Sequence, residues 1–222
     1  MFRPPATTRP IVSRIRPLVL SAALVLAAVA AQAQRPASGP AEPSPAARQA
    51  LQTILAAGDH RGLPFAVVDK QAARLHVFDR DGRPLGDAPA LLGQQVGDHT
   101  VPGVGDKPPS QVLPHERTTP AGRFLSEPGT NDEGDPVVWV EYDTGFAIHR
   151  VRPGRSYASR MERLRRPGAD GKRASLGCVV VDGAFFDDVV RPALGGGRGM
   201  VYVLPETRPV ASIFGGEVVA AR

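Results

Sequence analysis

The chain contains a single cysteine, Cys178, which follows the short stretch 173–177 and precedes three valines at 179–181. A lone thiol has no partner for an internal disulfide, so it is either an apolar filler of the core or a reactive nucleophile. A nucleophilic cysteine reacts as the thiolate, and a free thiol titrates near about pH 8.5, so a base must withdraw its proton. The usual base is a histidine that is close in space and distant in sequence.

Five histidines are available as that base: His60, His76, His99, His115 and His149. His60 lies at the entrance of the predicted domain and His76 alternates with core positions, which favours surface or structural roles. His99 and His115 fall in a predicted loop that nothing in the sequence fixes. His149 lies on a predicted strand, and strands hold catalytic geometry better than loops. We therefore expect His149 to be the base, with an ordinary buried histidine as the alternative.

The residues beside the cysteine suggest how the thiol is presented. Gly177 permits a tight turn directly before Cys178. The backbone amides of Leu176, Gly177 and Cys178 can then point together at an oxyanion that develops during acyl transfer. Ser175 either orients this loop through a hydrogen bond to the backbone or is an ordinary turn serine. Both interpretations of Ser175 stay open.

Patterns with the two-residue period of strands dominate the chain after Leu63. They predict strands at 65–68, 74–78, 88–93, 137–142, 146–151, 179–181 and 200–204, and another that starts near Phe124. Residues 99–114 predict a long loop. Helical spacing predicts short helices at 46–57, 157–164 and 184–191, the last capped by Asp182 and ended by Pro192. The fold class is therefore mostly β: a single β-rich domain with one or two helices packed on the sheet.

The two ends of the chain differ from this domain. Residues 1–33 combine four arginines, an apolar run and the small-residue site Ala31-Gln32-Ala33, which is the pattern of a secretory signal peptide. The alternative is an uncleaved membrane anchor, for which the run is short of the ~20 apolar residues of a spanning helix. We expect a linker with a short helix at 34–62, the folded domain at 63–206 and a C-terminal tail at 207–222.

The charge balance does not predict a nucleic-acid partner. Lys and Arg number 27 against 22 Asp and Glu, a net charge of +5, and removal of four signal arginines leaves 23 against 22, or +1. Basic residues are concentrated at 150–173, which is either solvated surface or a surface that attracts an anionic polymer. We expect this segment to line the cleft that holds the substrate.

Three motifs occur in the order that is typical of one enzyme family: Thr119-Pro120-Ala121-Gly122-Arg123-Phe124, Ala147-Ile148-His149 and Ser175-Leu176-Gly177-Cys178. With them, the segment from about 65 to 204 resembles the L,D-transpeptidase (YkuD-like) catalytic domain. The chain departs from the usual family pattern at Arg150, Leu176 and Val180, where small or polar residues are common, and its segment between histidine and cysteine is longer.

The resemblance implies a role for each site residue. Cys178 would be the nucleophile and His149 the general base, with the Arg150 carbonyl orienting the imidazole. The Leu176 and Gly177 amides would bind the oxyanion, and the resemblance also suggests a substrate-binding role for Ser175 and Arg173. The family uses no metal or organic cofactor.

The resemblance also implies a substrate and a location. The enzyme would be exported to the periplasm or cell envelope of a bacterium and would act on peptidoglycan stem peptides. A Cys178 thioester would form with release of D-alanine, and the acyl group would pass to an amine, giving a 3-3 cross-link or an attached protein. Carbapenems commonly acylate such a cysteine. The alternatives are an L,D-carboxypeptidase or hydrolase of the same substrate, and a cell-wall-binding protein without activity; contact with the membrane would require an uncleaved signal peptide.

Overall fold

The structure is a computed structural model that describes residues 42–221. The predicted signal peptide and the first part of the linker lie outside these residues. Within 42–221, no helix combines the length and the apolar character that a membrane crossing requires.

Strands make up most of the regular structure, which confirms the mostly β class. The strands are β1 (Phe65–Asp69), β2 (Arg74–Phe78), β3 (Pro84–Pro89), β4 (Leu92–Gly93), β5 (Gly122–Thr130), β6 (Pro136–Glu141), β7 (Phe146–Arg150), β8 (Arg173–Ser175), β9 (Val179–Val181), β10 (Gly199–Val203) and β11 (Val219–Ala220). The predicted strand 88–93 is divided between β3 and β4, because the chain changes its pairing partner from β2 to β8 after Pro89.

The main sheet has the order β3-β2-β1-β10-β5-β6-β7-β9, and β11 adds to β5. Most neighbours are antiparallel, but β1 pairs with β10, β5 with β11 and β7 with β9 in parallel. Leu91, just after β3, exchanges two backbone hydrogen bonds with Val180 of β9, with N to O distances of 2.7 and 2.9 Å. The two edges of the sheet are thereby joined, and the sheet is nearly closed.

Helices cover the sheet on both faces. Helix α1 (Pro45–Ala57) and helix α2 (Tyr157–Arg165) lie where the sequence predicts helices. A third helical run consists of α3 (Gly183–Phe185), a π-helical turn (Phe186–Val190) and α4 (Arg191–Leu194). The side chain of Asp182 caps this run as predicted, because it accepts a hydrogen bond from the Ala184 amide.

The prediction that Pro192 ends the third helix is wrong. The run continues to Leu194, whose side chain is fully buried in the core. Proline lacks an N–H and cannot make the usual bond to the carbonyl four residues earlier. Here it stands at the start of α4, directly after the wider π-helical turn, so the helical path continues beyond it.

Two large apolar clusters stabilise the two faces of the sheet. The first packs the buried side chains Phe186, Val190 and Leu194 of the helical run against the inward side of the strands. The second packs α1 against the opposite face, through Ala47, Ala50 and Ile54. The C-terminal segment contributes to the second cluster as well, because Ile213 is buried there.

The contacts of α1 and of the C-terminal segment extend the folded unit beyond 63–206. Ser44 accepts a hydrogen bond from the Ala47 amide as the helix cap and donates one to Asp69 at the end of β1. At the other end of the chain, Val219 pairs with Phe124 through β11. Both segments that flank the predicted domain therefore pack on its sheet.

We predict that Ile54→Ala destabilises the protein by about 2–5 kcal/mol, because it removes a fully buried side chain of α1 and leaves a cavity. Urea unfolding followed by circular dichroism measures this change. Gln52→Ala, on the exposed side of the same helix, is the control and should change the free energy of unfolding by less than about 0.5 kcal/mol. Equal effects of the two substitutions would contradict the packing of α1 on the sheet.

Candidate active site

The parallel pairing of β7 with β9 brings the expected base and nucleophile onto neighbouring strands. His149 pairs with Val180, and Ile148 pairs with Val179. Cys178, directly before β9, is therefore only two residues from the partner of His149. Neighbouring strands lie about 4.8 Å apart and rise about 3.3 Å per residue, so the Cα atoms of His149 and Cys178 are roughly 8 Å apart.

The two side chains also share a face of the sheet. Side chains alternate along a strand, which puts Cys178 and Val180 on one side and Val179 on the other. Val179 belongs to the large inner core, whereas Cys178 packs against a third, smaller cluster on the outer face. The buried members of this third cluster are Leu91, Val151, Met161, Leu164 and Val180. The base and the nucleophile thus lie next to an apolar patch that α2 covers.

The position of His149 defines which ring nitrogen can act as a base. The residue is buried, and its Nδ1 lies 2.8 Å from the carbonyl oxygen of Arg150. A carbonyl only accepts, so Nδ1 carries the proton and Nε2 has the free lone pair. Burial lowers the pKa of His149 to about 4, and the nearby charges of Arg152 and Arg160 favour the same direction. The imidazole is therefore neutral, and able to accept a proton, at neutral pH.

The thiol of Cys178 is partly buried and donates to the carbonyl oxygen of Gly145, 3.4 Å from Sγ. Burial raises the pKa of the Cys178 thiol. Backbone amides of Ala147 and of Cys178 itself, and the charges of Arg152 and Arg160, act in the opposite direction. The resting site therefore holds a neutral thiol near a neutral imidazole, and a thiolate has to be formed by proton transfer.

Ser175 holds the loop that carries the cysteine. It is buried, and its Oγ donates to the carbonyl oxygen of Cys178 at 2.6 Å and accepts from the Gly177 amide at 3.1 Å. Of the two interpretations, these two hydrogen bonds favour the serine that orients the loop. The expectation for Gly177 needs correction too: its amide is bonded to Ser175 and is not free to receive an oxyanion.

Thr119, from the first motif, anchors the same loop from the other side. Its side chain is fully buried and its Oγ1 donates to the Gly177 carbonyl oxygen at 2.7 Å while it accepts from the Gly93 amide at 2.8 Å. Gly177 has φ +143°, and a Cβ there would lie 3.0 Å from the carbonyl oxygen of Thr118. Glycine is therefore required at this position by backbone conformation and by the close approach of the neighbouring segment.

A buried ionic network contacts the backbone carbonyl of Thr119. Lys70 has no exposed side-chain surface, and its Nζ donates to Asp98 at 2.8 Å and to the Thr119 carbonyl at 2.9 Å. Burial opposes ionisation of Asp98, but hydrogen bonds from Lys70 and Thr207 hold the pKa of its carboxyl well below the usual range. Glu206 completes the network 3.5 Å from Lys70. Sequence patterns do not reveal this network, because its members are widely separated along the chain.

Arg173 belongs to this network and not to an open binding surface. Its guanidinium forms an ion pair with Glu206 and contacts the carbonyl oxygens of Lys70 and Gly93 at 3.3 and 3.5 Å. The ion pair connects β8 to the C-terminal segment, which contains Glu206. The expected substrate-binding role of Arg173 is therefore not supported by its surroundings.

The basic segment 150–173 does not form a single surface. The side chain of Arg150 is bonded to Asp135 and Asp187 at 3.1 and 3.2 Å, and the Arg163 guanidinium donates to a backbone carbonyl. The charges of Arg152 and Arg160 act to lower the pKa of both His149 and the Cys178 thiol. The predicted contribution of the whole segment to the site is therefore reduced to the positive charge of these two arginines.

A cleft of about 480 Å³ is lined by neighbours of the residues that contact the cysteine loop, but neither Cys178 nor His149 is in its lining. Thr144, next to the carbonyl that contacts the thiol, forms one wall, and Pro120, next to Thr119, forms another. Among the charged lining residues are Asp106, Glu141 and Asp143.

The other four histidines lie on other segments, and His99 is in the lining of the 480 Å³ cleft. His60 and His76 belong to the first part of the sheet: His60 Nε2 lies 2.9 Å from the Arg80 carbonyl oxygen, and His76 is buried on β2. His99 and His115 are exposed in the long loop, which contains three short 3-10 turns. In residues 42–221, no cluster of three or more histidine, cysteine or acidic side chains is arranged to hold a metal ion.

Two groups near the thiol are absent from the sequence-based prediction. These are the Gly145 carbonyl, directly before β7, and the Ala147 amide, near the start of β7. Backbone groups have no residue-type signature, so only the register between β7 and β9 reveals them. Thr119 is different, because the sequence analysis identified the motif that contains it. Its role as an anchor of the cysteine loop is seen only in the structure.

Comparison with known proteins gives only remote similarity. No family model matches the chain, and no curated protein matches it. Among solved structures, the NMR structure of the catalytic domain of an L,D-transpeptidase from E. faecium is 21% identical, with 64% of this chain and 96% of that chain covered and a TM-score of 0.36. The structure of the L,D-transpeptidase LdtMt1 in complex with imipenem is 18% identical, with 64% and 58% covered and a TM-score of 0.36. Both are structures of the family that the three motifs resemble.

We predict that Thr119→Val slows the reaction of Cys178 with a β-lactam or an alkylating reagent at least tenfold. The substitution keeps the side-chain shape but leaves the Gly93 amide and the Gly177 carbonyl unpaired, at a cost of about 1–3 kcal/mol. Mass spectrometry at timed intervals gives the rate. Thr119→Ser, which retains the hydroxyl, should restore it, and Thr130→Val on the exposed end of β5 should have no effect. A Thr119→Val protein that is folded and fully reactive would contradict the anchoring role.

We also predict a pH-dependent contribution of His149 to stability. Its pKa is lowered from 6.5 to about 4 in the folded protein, so between these values the unfolded chain binds a proton that the folded protein does not. The free energy of unfolding is therefore highest above pH 6.5, where the imidazole is neutral in both states. It decreases as the pH falls from 6.5 toward 4, by about 3 kcal/mol in total. Urea unfolding at a series of pH values, compared with His149→Gln, measures it. Parallel stability curves for the two proteins across this range would show that the histidine is not buried as described.

Proposed function

We propose that this protein is an exported cysteine acyltransferase that acts on peptidoglycan stem peptides. The observation that carries the proposal is the placement of Cys178 and His149 on one face of paired strands, with His149 Nδ1 held by the Arg150 carbonyl. The three motifs, which resemble those of L,D-transpeptidases, support the choice of substrate. The predicted signal peptide supports export to the periplasm or cell envelope.

In the first half-reaction, His149 Nε2 takes the proton of Cys178 as the sulfur attacks the carbonyl carbon before the terminal D-alanine. The peptide nitrogen then leaves as the amine of D-alanine and takes the proton back from the imidazolium. A thioester between Cys178 and the shortened stem peptide remains. In the second half-reaction, an acceptor amine attacks the thioester, its proton passes to His149, and the thiol is regenerated.

The electrostatics of the site favour transfer of the proton during the attack over a preformed ion pair. The charges of Arg152 and Arg160 stabilise a thiolate and oppose an imidazolium. Their positive potential also favours the negative charge that develops on the carbonyl oxygen in the tetrahedral intermediate. The backbone amides of Ala147 and Cys178, which favour the thiolate, are candidate donors to that charge, together with the predicted Leu176 amide.

The neighbouring residues fit the proposal in different ways. Leu176 is exposed beside the thiol, so its side chain can contact a substrate but cannot transfer a proton. Val180 is buried in the third cluster and contributes to packing below the site. The chemistry proposed here therefore depends on His149 alone as the proton acceptor.

We predict that a carbapenem adds one intact molecule to the protein, because the thiol opens the β-lactam ring and no group leaves. Intact-protein mass spectrometry detects the adduct, and Cys178→Ala should abolish it. His149→Gln should slow its formation by about 10²–10⁴-fold, since general-base assistance is lost. His115→Gln, an exposed histidine in the long loop, is the matched control and should react at the normal rate.

An unmodified wild-type thiol, or a rate that His149→Gln leaves unchanged, would refute the proposed chemistry. Product analysis then identifies the acceptor. Purified tetrapeptide muropeptides should release D-alanine and give a cross-linked dimer. Release of D-alanine with only the tripeptide as product would identify a carboxypeptidase instead.

A further inference from the structure

A second cavity, of about 770 Å³, lies under the segment that connects β7 to β9. Its walls come from the turn between β1 and β2, from the C-terminal half of α2 with the loop that follows, and from Asp182. Asp182 lies four residues beyond Cys178 along β9, or about 13 Å at 3.3 Å per residue. Neither Cys178 nor His149 contributes to the lining, so the cavity is separate from the candidate active site.

The cavity has a marked excess of positive charge. Arg74, Arg165, Arg166 and Lys172 line it, and the single carboxylate in the lining, Asp182, caps the third helical run. Two of the arginines have acidic partners, Arg74 with Asp87 and Arg166 with Glu162. Arg165 and Lys172 form no ion pair with any residue in the described part of the chain.

Lys172 is the unusual member of this group. It is 1% exposed, and its Nζ donates to the carbonyl oxygens of Arg166 and Gly168, each at 2.6 Å. An ammonium has three N–H donors, so one donor is left without a protein partner. Burial lowers the pKa of Lys172, and the charges of Arg74 and Arg166 lower it further, while the charge of Asp170 acts in the opposite direction without forming an ion pair. A buried cation that has no ion-pair partner is costly, and an anion in the cavity would reduce that cost.

The rest of the lining is apolar. Met161 and Leu164 of α2 lie on one side, and Pro89 and Pro167 also contribute. The volume is within the range of about 300–1,000 Å³ that is typical of small-molecule sites. A ligand that fits both the positively charged and the apolar part of the lining has an anionic group attached to an apolar body.

We propose that this cavity binds an organic carboxylate, whose anionic group contacts Lys172 and Arg165 and whose apolar part lies against Met161 and Leu164. The site is independent of acyl transfer at Cys178. It gives the connecting segment a binding role in addition to its position above the apolar patch beside the candidate active site.

The test uses the full chain with Cys178→Ala, so that no ligand can react with the thiol. The probe is 4-phenylbutyrate, and its neutral amide, 4-phenylbutanamide, is the matched control. Isothermal titration should give one site for the acid and at least tenfold weaker binding for the amide. Lys172→Met should abolish binding, and Arg165→Gln should weaken it at least threefold without affecting the fold, because Arg165 is exposed. Arg155→Gln, exposed and outside the cavity, should bind as the parent does.

Methyl-labelled methionine locates the probe. The chain has three methionines, of which Met161 lines the cavity and Met200 is buried in β10. The acid should shift the methyl resonance of Met161 and leave that of Met200 unchanged. Equal binding of acid and amide, binding that survives Arg165→Gln and Lys172→Met, or a shift at Met200 alone would overturn the proposal. Equally tight binding of inorganic sulfate would overturn the organic class of ligand.

Discussion

The parallel pairing of β7 with β9 is the constraint on which the site depends. Parallel neighbours cannot be joined by a tight turn, so the chain must leave β7, pass over the sheet and enter β9 from the same end. Residues 151–178 make this crossover, and α2 within it covers the outer face with Met161 and Leu164. The same pairing puts the residue directly before β9 beside the start of β7. The long basic segment between His149 and Cys178 is thus the connection that the strand arrangement requires.

The geometry at the cysteine is maintained by buried polar groups more than by apolar packing. Gly177 is held on one side by Ser175 and on the other by Thr119, and the Thr119 carbonyl is in turn bound by Lys70. Each buried donor or acceptor in such a chain costs free energy if its partner is lost, so the arrangement is stable only as a whole. This explains how a loop, which is usually the more mobile part of a fold, holds a reactive side chain in one place. It also links the cysteine loop to the C-terminal segment, because Asp98 bonds both Lys70 and Thr207.

Sequence patterns are sufficient to predict most strands, the mostly β class and the positions of α1 and α2, because burial on one or both faces leaves a clear period in the residue types. They are also sufficient to single out Cys178 and His149, whose chemistry has few alternatives. Patterns fail where the structure depends on register or on unique backbone contacts. The Gly177 amide was expected to be free, but a serine two residues away competes for it. Arg173 was expected at the surface of the site, but Glu206, distant in sequence, binds it.

The charges around Cys178 and His149 have a consequence for the proposed chemistry at neutral pH. A cysteine that forms an ion pair with its histidine is always activated, and it is also open to oxidation and to unspecific reaction. Here burial favours the neutral form of both groups, and the positive charges of Arg152 and Arg160 favour the thiolate only at the expense of the imidazolium. In the proposed reaction, the thiol stays protonated and hydrogen-bonded to the Gly145 carbonyl until an acyl group is close enough to be attacked. The proposed reaction would therefore depend on a bound substrate that excludes water and whose carbonyl oxygen takes up the negative charge.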